Sequence, residues 1–267
     1  LRLIFKPAWS DIPQPPEVLA ACERIRRHLG TLVDSHLDNP EAFDDIASSV
    51  IAARDQETGE PFSREELIDQ LGVFFLAGHE TTASALTWAF YILADQPHWL
   101  ARLREEIATV VGDAPMSFEH TRQLPLTKAF FKETLRLYPP ITFMPRVALR
   151  EATVGGRRLR KGALVMIAPW TLQRHSKWWP DPHAFKPERF LPEQEVTLVQ
   201  GAYIPFGQGP HTCVGAGFAQ TESVLILAEL VRRLDWLLEP GQTVRPAARM
   251  TTRPADQVML HVRPPAA

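Results

Sequence analysis

A mainly α-helical fold with small β-sheets is predicted by three features of the sequence. Apolar residues recur at helical spacing from Glu17 to about Leu37, a longer run from Ser63 to about Asp95 is apolar on nearly every side, and the strand-like segments are short and scattered. A lone cysteine in a glycine-rich loop, followed by an amphipathic run, completes the outline.

The opening, through Pro16, has several prolines and no period, and reads as a connecting segment. In the first helix Val18, Leu19, Ile25, Leu29, Leu32, Val33 and Leu37 form the apolar stripe, and Cys22 falls among them as a core-facing filler. A second helix is predicted from about Ala42 to Arg54, ending in the turn Asp55-Gln56-Glu57-Thr58-Gly59. Ser63 with Glu66 makes a capping box, so a long helix should start there and lie buried through Leu67, Leu71, Phe74, Phe75, Leu86, Trp88 and Leu93. Its middle breaks the pattern. Ala77-Gly78-His79-Glu80-Thr81-Thr82 puts a glycine, a carboxylate and two hydroxyls inside an apolar rod, which marks a kink, a site, or a Thr bonded back to its own helix.

Gln96-Pro97-His98 opens another helix, to about Val111, with a polar Arg/Glu face that includes Arg104. Leu124 to Leu137 is again helical and carries Glu133 and Arg136 three residues apart. On a solvated face that pair is worth about a few tenths of a kcal/mol, but Phe130, Phe131, Leu135 and Leu137 flank it and point to partial burial. Tyr138-Pro139-Pro140 ends the helix. Short strands follow at 143–148, 152–154 and 164–167, the last two joined through Gly155-Gly156 and Lys161-Gly162. From Trp178 to Pro205 the chain is rich in proline and aromatics without a period, as expected of a segment wrapped around something. One helix is expected from about Phe218 to Leu238, and one hairpin between Arg249 and Val262.

Composition limits the function. With 267 residues and 45% hydrophobic content, the chain can bury a large core. A net charge of −2 with dispersed Lys and Arg argues against nucleic acid as a partner. Cysteines at 22 and 213 give no disulfide framework, which fits a reducing, cytoplasmic setting. No run is long enough to span a membrane, and no signal peptide opens the chain, although Leu1 in place of Met marks it as the later part of something longer.

The chemistry concentrates in Phe206-Gly207-Gln208-Gly209-Pro210-His211-Thr212-Cys213-Val214-Gly215-Ala216-Gly217. Glycines let backbone approach the sulfur, and a helix N-terminus favours thiolate, so the loop suits a metal-bound cysteine. The alternatives are a packing cysteine, a nucleophile with His211 as base, or a zinc site. The second is poorly spaced, and the third has no other ligands nearby.

The full string resembles the haem-binding loop of the cytochrome P450 superfamily. Three further motifs stand in that superfamily's order: Ala77-Gly78-x-Glu80-Thr81-Thr82, Glu133-x-x-Arg136 and Pro187-Glu188-Arg189-Phe190. The resemblance implies the carboxyl-terminal portion of that fold, with residues 1–267 forming part of a single domain whose amino-terminal half is absent. It implies haem b (iron protoporphyrin IX) with Cys213 as axial thiolate, Phe206 beside the sulfur, and His211 and Arg146 on the propionates. Gly207, Gly215 and Ala77 are also implied as haem contacts. Glu133, Arg136 and Arg189 correspond to a buried triad. Glu80 and Thr81 correspond to the acid–alcohol pair that delivers protons for oxygen activation.

Phe75, Leu76, Ala77, Ile141, Met144 and Met250 fall at substrate-contact positions and imply a lipophilic substrate. The implied activity is monooxygenation with O2 and electrons from NAD(P)H through a ferredoxin or flavoprotein reductase. Two rivals remain: a haem-thiolate peroxygenase, isomerase or dehydratase, disfavoured by the intact Glu80–Thr81 pair, and a truncated chain without activity.

Overall fold

The structure is a computed structural model, and it describes residues 13–55, 57–249 and 251–265. In chain order the helices are α1 (Pro16–Asp38), α2 (Ile46–Ala52), α3 (Arg64–Asp95), α4 (Pro97–Val111), α5 (Phe118–Arg122), α6 (Pro125–Leu137), α7 (Pro169–Leu172), α8 (Pro192–Glu195) and α9 (Ala216–Arg233). The strands are β1 (Met144–Val147), β2 (Ala152–Val154), β3 (Arg157–Leu159), β4 (Leu164–Ile167), β5 (Asp235–Leu238), β6 (Pro246–Ala248), β7 (Thr252–Pro254) and β8 (Leu260–Arg263). The mainly helical class with small sheets is therefore present. All four sheets are antiparallel pairs: β1–β4, β2–β3, β5–β8 and β6–β7. No helix among the described residues is long and apolar enough to cross a membrane. The chain forms two compact units, with the division inside α3 between Ala77 and Gly78.

In the first unit, Val33, Ala47, Leu67, Ile68 and Leu71 make a small core, with Leu29, Val50, Ile51 and Phe62 packed on it. The Ser63 capping box forms: Glu66 accepts from the Ser63 N–H at 2.8 Å, and the Glu66 N–H donates to Ser63 Oγ at 3.4 Å. The first-helix stripe is only partly used. Gly30, Val33 and His36 are buried, whereas Leu19, Leu37 and Cys22 are exposed, so Cys22 is not a core filler.

The second helix is shorter than the periodicity predicts, because Asp45 caps it. Its carboxylate takes the Ser48 N–H at 2.9 Å and lies 3.3 Å from His36 Nε2, while a 3-10 turn occupies Pro40–Ala42. The Ser48 backbone N–H, and then His36, hold the Asp45 carboxyl below the usual aspartate range. Its stabilising contribution should be complete above the ordinary midpoint and vanish as pH falls through the lower folded one. The Asp45 carboxylate shift followed by NMR should therefore titrate below about 3.9, and a midpoint at or above that value would remove the cap from the account.

α3 runs unbroken through the polar step, so Gly78 to Thr82 does not end it. It is not buried throughout, as its hydrophobicity suggests. Trp88, Ala89 and Leu93 are inaccessible, but Val73, Phe75 and Leu76 are more than half exposed. Hydrophobicity on all sides shows only that burial would be favourable. Which turns are covered depends on the elements packed against them.

The second unit has a continuous core from α3, α4, α6 and α9, centred on Leu93, Leu103, Ile107, Phe130, Leu227 and Val231. The first turn of α6 is capped from α4: Glu106 accepts the Leu126 and Thr127 N–H groups at 2.6 and 2.9 Å and the Thr127 hydroxyl at 2.7 Å. Arg104 corrects the polar-face expectation. It reaches across to the end of α9, donating to the Val231 and Leu234 carbonyls at 3.0 and 2.9 Å and to Asp235 at 2.9 Å. α9 stops at Arg233, short of the expected Leu238, because residues 235–238 pair with β8 as β5. The terminal segment thus holds two pairings in place of one hairpin, β5–β8 and β6–β7. Likewise, Gly155 and Gly156, both at positive φ, close β2 onto β3, while β4 pairs with β1.

Candidate haem-thiolate site

The Cys213 loop is closed on itself before α9 begins. The Cys213 N–H donates to the Phe206 carbonyl at 2.9 Å, and the Thr212 N–H and hydroxyl both donate to the Gly209 carbonyl, at 3.0 and 2.8 Å. Phe206 packs its ring against the main core, so the backbone that receives the Cys213 N–H is itself fixed. Gly207 has φ +75°, and a Cβ there would meet the His211 carbonyl at 3.4 Å and Met144 Sδ at 3.5 Å. These are ordinary contact distances, so it is the left-handed backbone conformation that favours glycine. Gly215, at the start of α9, would place a Cβ 3.9 Å from Cys213 Sγ. Helix α9 starts three residues after the cysteine rather than at it.

Cys213 is exposed, and so is His211 in the 3-10 turn Gly209–His211. Met144 and Arg146 lie on β1, both half-buried, with Arg146 Nη1 donating to the Pro145 carbonyl at 2.9 Å. Among the described residues no three His, Cys, Asp or Glu side chains converge as a metal-binding group. The donor at Cys213 is thus a single accessible thiol on a rigid loop, which fits iron already held by a macrocycle.

The second cluster locks the irregular segment to α6. Glu133 and Arg136 are fully buried and form a two-pronged pair, Arg136 Nε to Glu133 Oε2 at 2.6 Å and Nη2 to Oε1 at 2.8 Å. Arg136 also donates to the carbonyls of Gln173 and Pro182, both at 2.8 Å, and of Ala184 at 2.9 Å. Trp179 lies 5.1 Å from its guanidinium. The Lys186 N–H donates to Glu133 Oε1 at 2.8 Å. Arg189 Nε lies 3.5 Å from the same oxygen without making a hydrogen bond, so its attraction to Glu133 is one of charge, while its Nη2 donates to the carbonyls of Pro180 and Asp181. Burial pushes the Glu133 carboxyl upward, and Arg136, the Lys186 N–H and Arg189 pull it back.

Sequence reasoning missed Gln173 as part of this joint. It is fully buried, donates to the Leu135 and Arg136 carbonyls, and accepts the Ile204 N–H at 2.9 Å. A glutamine that directly follows the short helix α7 carries no signal of such a role.

The third cluster is at the polar step of α3. Glu80 Oε1 receives the Thr251 hydroxyl at 2.6 Å, a partner that nothing in the sequence pattern marks. Thr81 is the next residue on the helix, and Ala77 ends the first unit. Phe75 and Leu76 are exposed in the first unit. In the second, Ile141 is half-buried beside Thr142. Met250 lies outside the described residues.

The cytochrome P450 family model matches residues 17–263. Cyclooctatin synthase of Streptomyces melanosporofaciens is 38% identical over 228 residues, covering 84% of this chain and 50% of its own. Pentalenene oxygenase of Streptomyces avermitilis is 36% identical over 208 residues, covering 78% and 46%. A protein of Gibberella moniliformis named bifunctional cytochrome P450/NADPH–P450 reductase is 33% identical over 237 residues, 88% of this chain and 21% of that one. The solved structure of retinoic acid bound cyanobacterial CYP120A1 superposes with a TM-score of 0.87 at 29% identity, covering 95% of this chain and 59% of that one. The chain thus spans about half the length of these two Streptomyces relatives. With the family model matching nearly the whole chain and its fold shared with solved members, the chain belongs to the cytochrome P450 family.

Proposed function

We propose that this chain is the carboxyl-terminal, iron-holding part of one cytochrome P450 domain. The protein that carries it is then a haem-dependent monooxygenase acting on a lipophilic small molecule. The observation that carries the reading is the single accessible thiol of Cys213, held by a loop closed through Phe206 and lined by Gly207 and Gly215.

Haem b bound through that thiolate would supply oxygen-activating chemistry. Cys213 would hold the iron, His211 and Arg146 the propionates, and Gly207, Gly215 and Ala77 would leave room for the ring. Glu133, Arg136 and Arg189 hold the segment 180–189 in place, and so act on the site through the backbone. On α3, the Thr81 hydroxyl would hold a water and pass its proton inward, and the Glu80 carboxylate would resupply it. Apolar Phe75, Leu76, Ile141 and Met144, with Met250, would contact substrate, which favours a lipophilic one. Electrons would come from NAD(P)H through a ferredoxin or a flavoprotein reductase. The relative named as fused to a P450 reductase supports the second donor type.

The test is electron allocation. In the haem-loaded protein carrying this chain, Thr81→Ala should retain haem and substrate binding, but product formed per NAD(P)H should fall several-fold while hydrogen peroxide release rises. Unchanged coupling would reduce the Thr81 hydroxyl to a helix-structure role and favour chemistry without oxygen activation.

A further inference from the structure

Glu80 does not stand alone on α3. Glu80, Ser84 and Trp88 recur at four-residue spacing and so share one helix face. All three bond to the same turn: Thr251 Oγ1 to Glu80 at 2.6 Å, Ser84 Oγ to the Thr252 carbonyl at 2.5 Å, and Trp88 Nε1 to that carbonyl at 3.1 Å. The turn is also held from the other side, where the Thr252 N–H donates to the Pro140 carbonyl at 2.7 Å.

Thr251 and Thr252 are almost inaccessible, at 3% and 1% exposure. Three hydrogen bonds thus fix a segment remote in sequence against one face of the helix and one ties it to Pro140, and three of these four hold its backbone alone. The fourth aims a hydroxyl at a carboxylate. An ionised carboxylate only accepts, so Thr251 is the donor. A partly exposed Glu in a helix has several rotamers, and this contact selects one of them.

We propose that Thr251 is a positioning residue for Glu80: it holds the carboxyl group in the rotamer in which the oxygen not bonded to Thr251 can take a proton from solvent and pass it to the neighbouring Thr81. The inference rests on the proton-delivery reading of Glu80 given above. Ser84 and Trp88 set the height of the turn along α3, and Pro140 prevents it from withdrawing. The same lock ties the α6–β1 connection to the helix, so the carboxylate is oriented by two segments that the sequence keeps more than a hundred residues apart.

The experiment compares Thr251→Val, Thr251→Ser and Glu80→Gln, and the double variant Thr251→Val/Glu80→Gln, in the haem-loaded protein carrying this chain. Valine keeps the shape and removes the donor. Two readouts are taken: substrate turnover under a competent electron donor, and the carboxylate stretching band of Glu80, isolated as the infrared difference between each Glu80-containing variant and its Glu80→Gln counterpart. The infrared readout needs no turnover.

Thr251→Val should shift the carboxylate band and slow turnover by about tenfold, the scale of one hydrogen bond to a charged group, with substrate affinity unchanged. Thr251→Ser should restore both. In the Glu80→Gln background, Thr251→Val should slow turnover no further, because it acts through the carboxylate. An equal loss in both backgrounds would make Thr251 a stability contact and overturn the proposal. Normal turnover in Thr251→Val with a slow Glu80→Gln would overturn it while leaving the proton-delivery reading intact. Normal turnover in Glu80→Gln would overturn that reading, and the positioning role with it.

Discussion

Cys213→Ala should abolish the red-shifted Soret band that a thiolate-ligated haem gives in its reduced, carbon-monoxide-bound form. The loop leaves no substitute for the sulfur. The Cys213 backbone N–H is tied to the Phe206 carbonyl, and Phe206 is held by the core, so the loop should keep its shape when the thiol is removed. His211, the nearest residue in the loop with a ligating side chain, sits in a separate 3-10 turn whose following residue is bonded back to Gly209. The variant should therefore lose the thiolate signature without losing the fold, which far-ultraviolet circular dichroism checks in the same sample. Gly215→Ala is the companion. Its added methyl would stand about at contact distance from Sγ, 3.9 Å away, so the band should persist, altered in position or intensity. A thiolate spectrum retained in Cys213→Ala would remove the central claim about this site.

Arg136→Ala should destabilise the protein by about 3–5 kcal/mol, the cost of breaking a buried ion pair from one side. Each of the five guanidinium donors is committed: two to Glu133 and three to the carbonyls of Gln173, Pro182 and Ala184. Removing the side chain would leave a fully buried carboxylate with only the Lys186 N–H and the more distant Arg189 as compensation, and would orphan the three carbonyls. Arg136→Lys should fail nearly as badly, because three donors on a flexible stem cannot replace a planar fork.

Arg158→Ala is the control. Its partner Glu151 lies at the surface, where such a pair contributes about 1 kcal/mol or less. Arg104 cannot serve as a neutral control, since it secures the end of α9. Urea unfolding of the variants gives the comparison, and equal, mild losses for Arg136→Ala and Arg158→Ala would show that the buried joint is not a stability element.

Local chemistry made part of this legible. The Ser63–Glu66 box, the proline at the start of α4 and the Tyr138-Pro139-Pro140 stop are short-range signals, and the helices begin or end where those residues direct. The Cys213 loop was also readable, because its glycines record a backbone constraint: Gly207 and Gly209 do occupy positive φ. The family itself was legible from motifs spread along the chain.

Long-range packing decided the rest. Whether residues 235–238 extend a helix or form β5 depends on a partner strand more than twenty residues later, which offers its edge to them. Arg104 sits at a polar position by periodicity, yet the unsatisfied carbonyls at the end of α9 claim it. Glu133 and Arg136 are compatible with a surface pair in sequence alone. They are a buried joint because the carbonyls of an aperiodic segment converge on the guanidinium, and the Lys186 backbone N–H and the Arg189 guanidinium of that segment reach the carboxylate side of the pair. Glu80 likewise announces only a costly polar step. Its partner Thr251 lies 171 residues away and becomes visible only when the final turn packs against α3. The sequence by itself determined the helix ends that caps and prolines mark and the family to which the chain belongs, since the first rest on backbone preferences written residue by residue and the second on motifs in a fixed order. The tertiary structure alone decided which polar groups are paired, because a hydrogen bond inside a protein depends on what else is excluded from water around it.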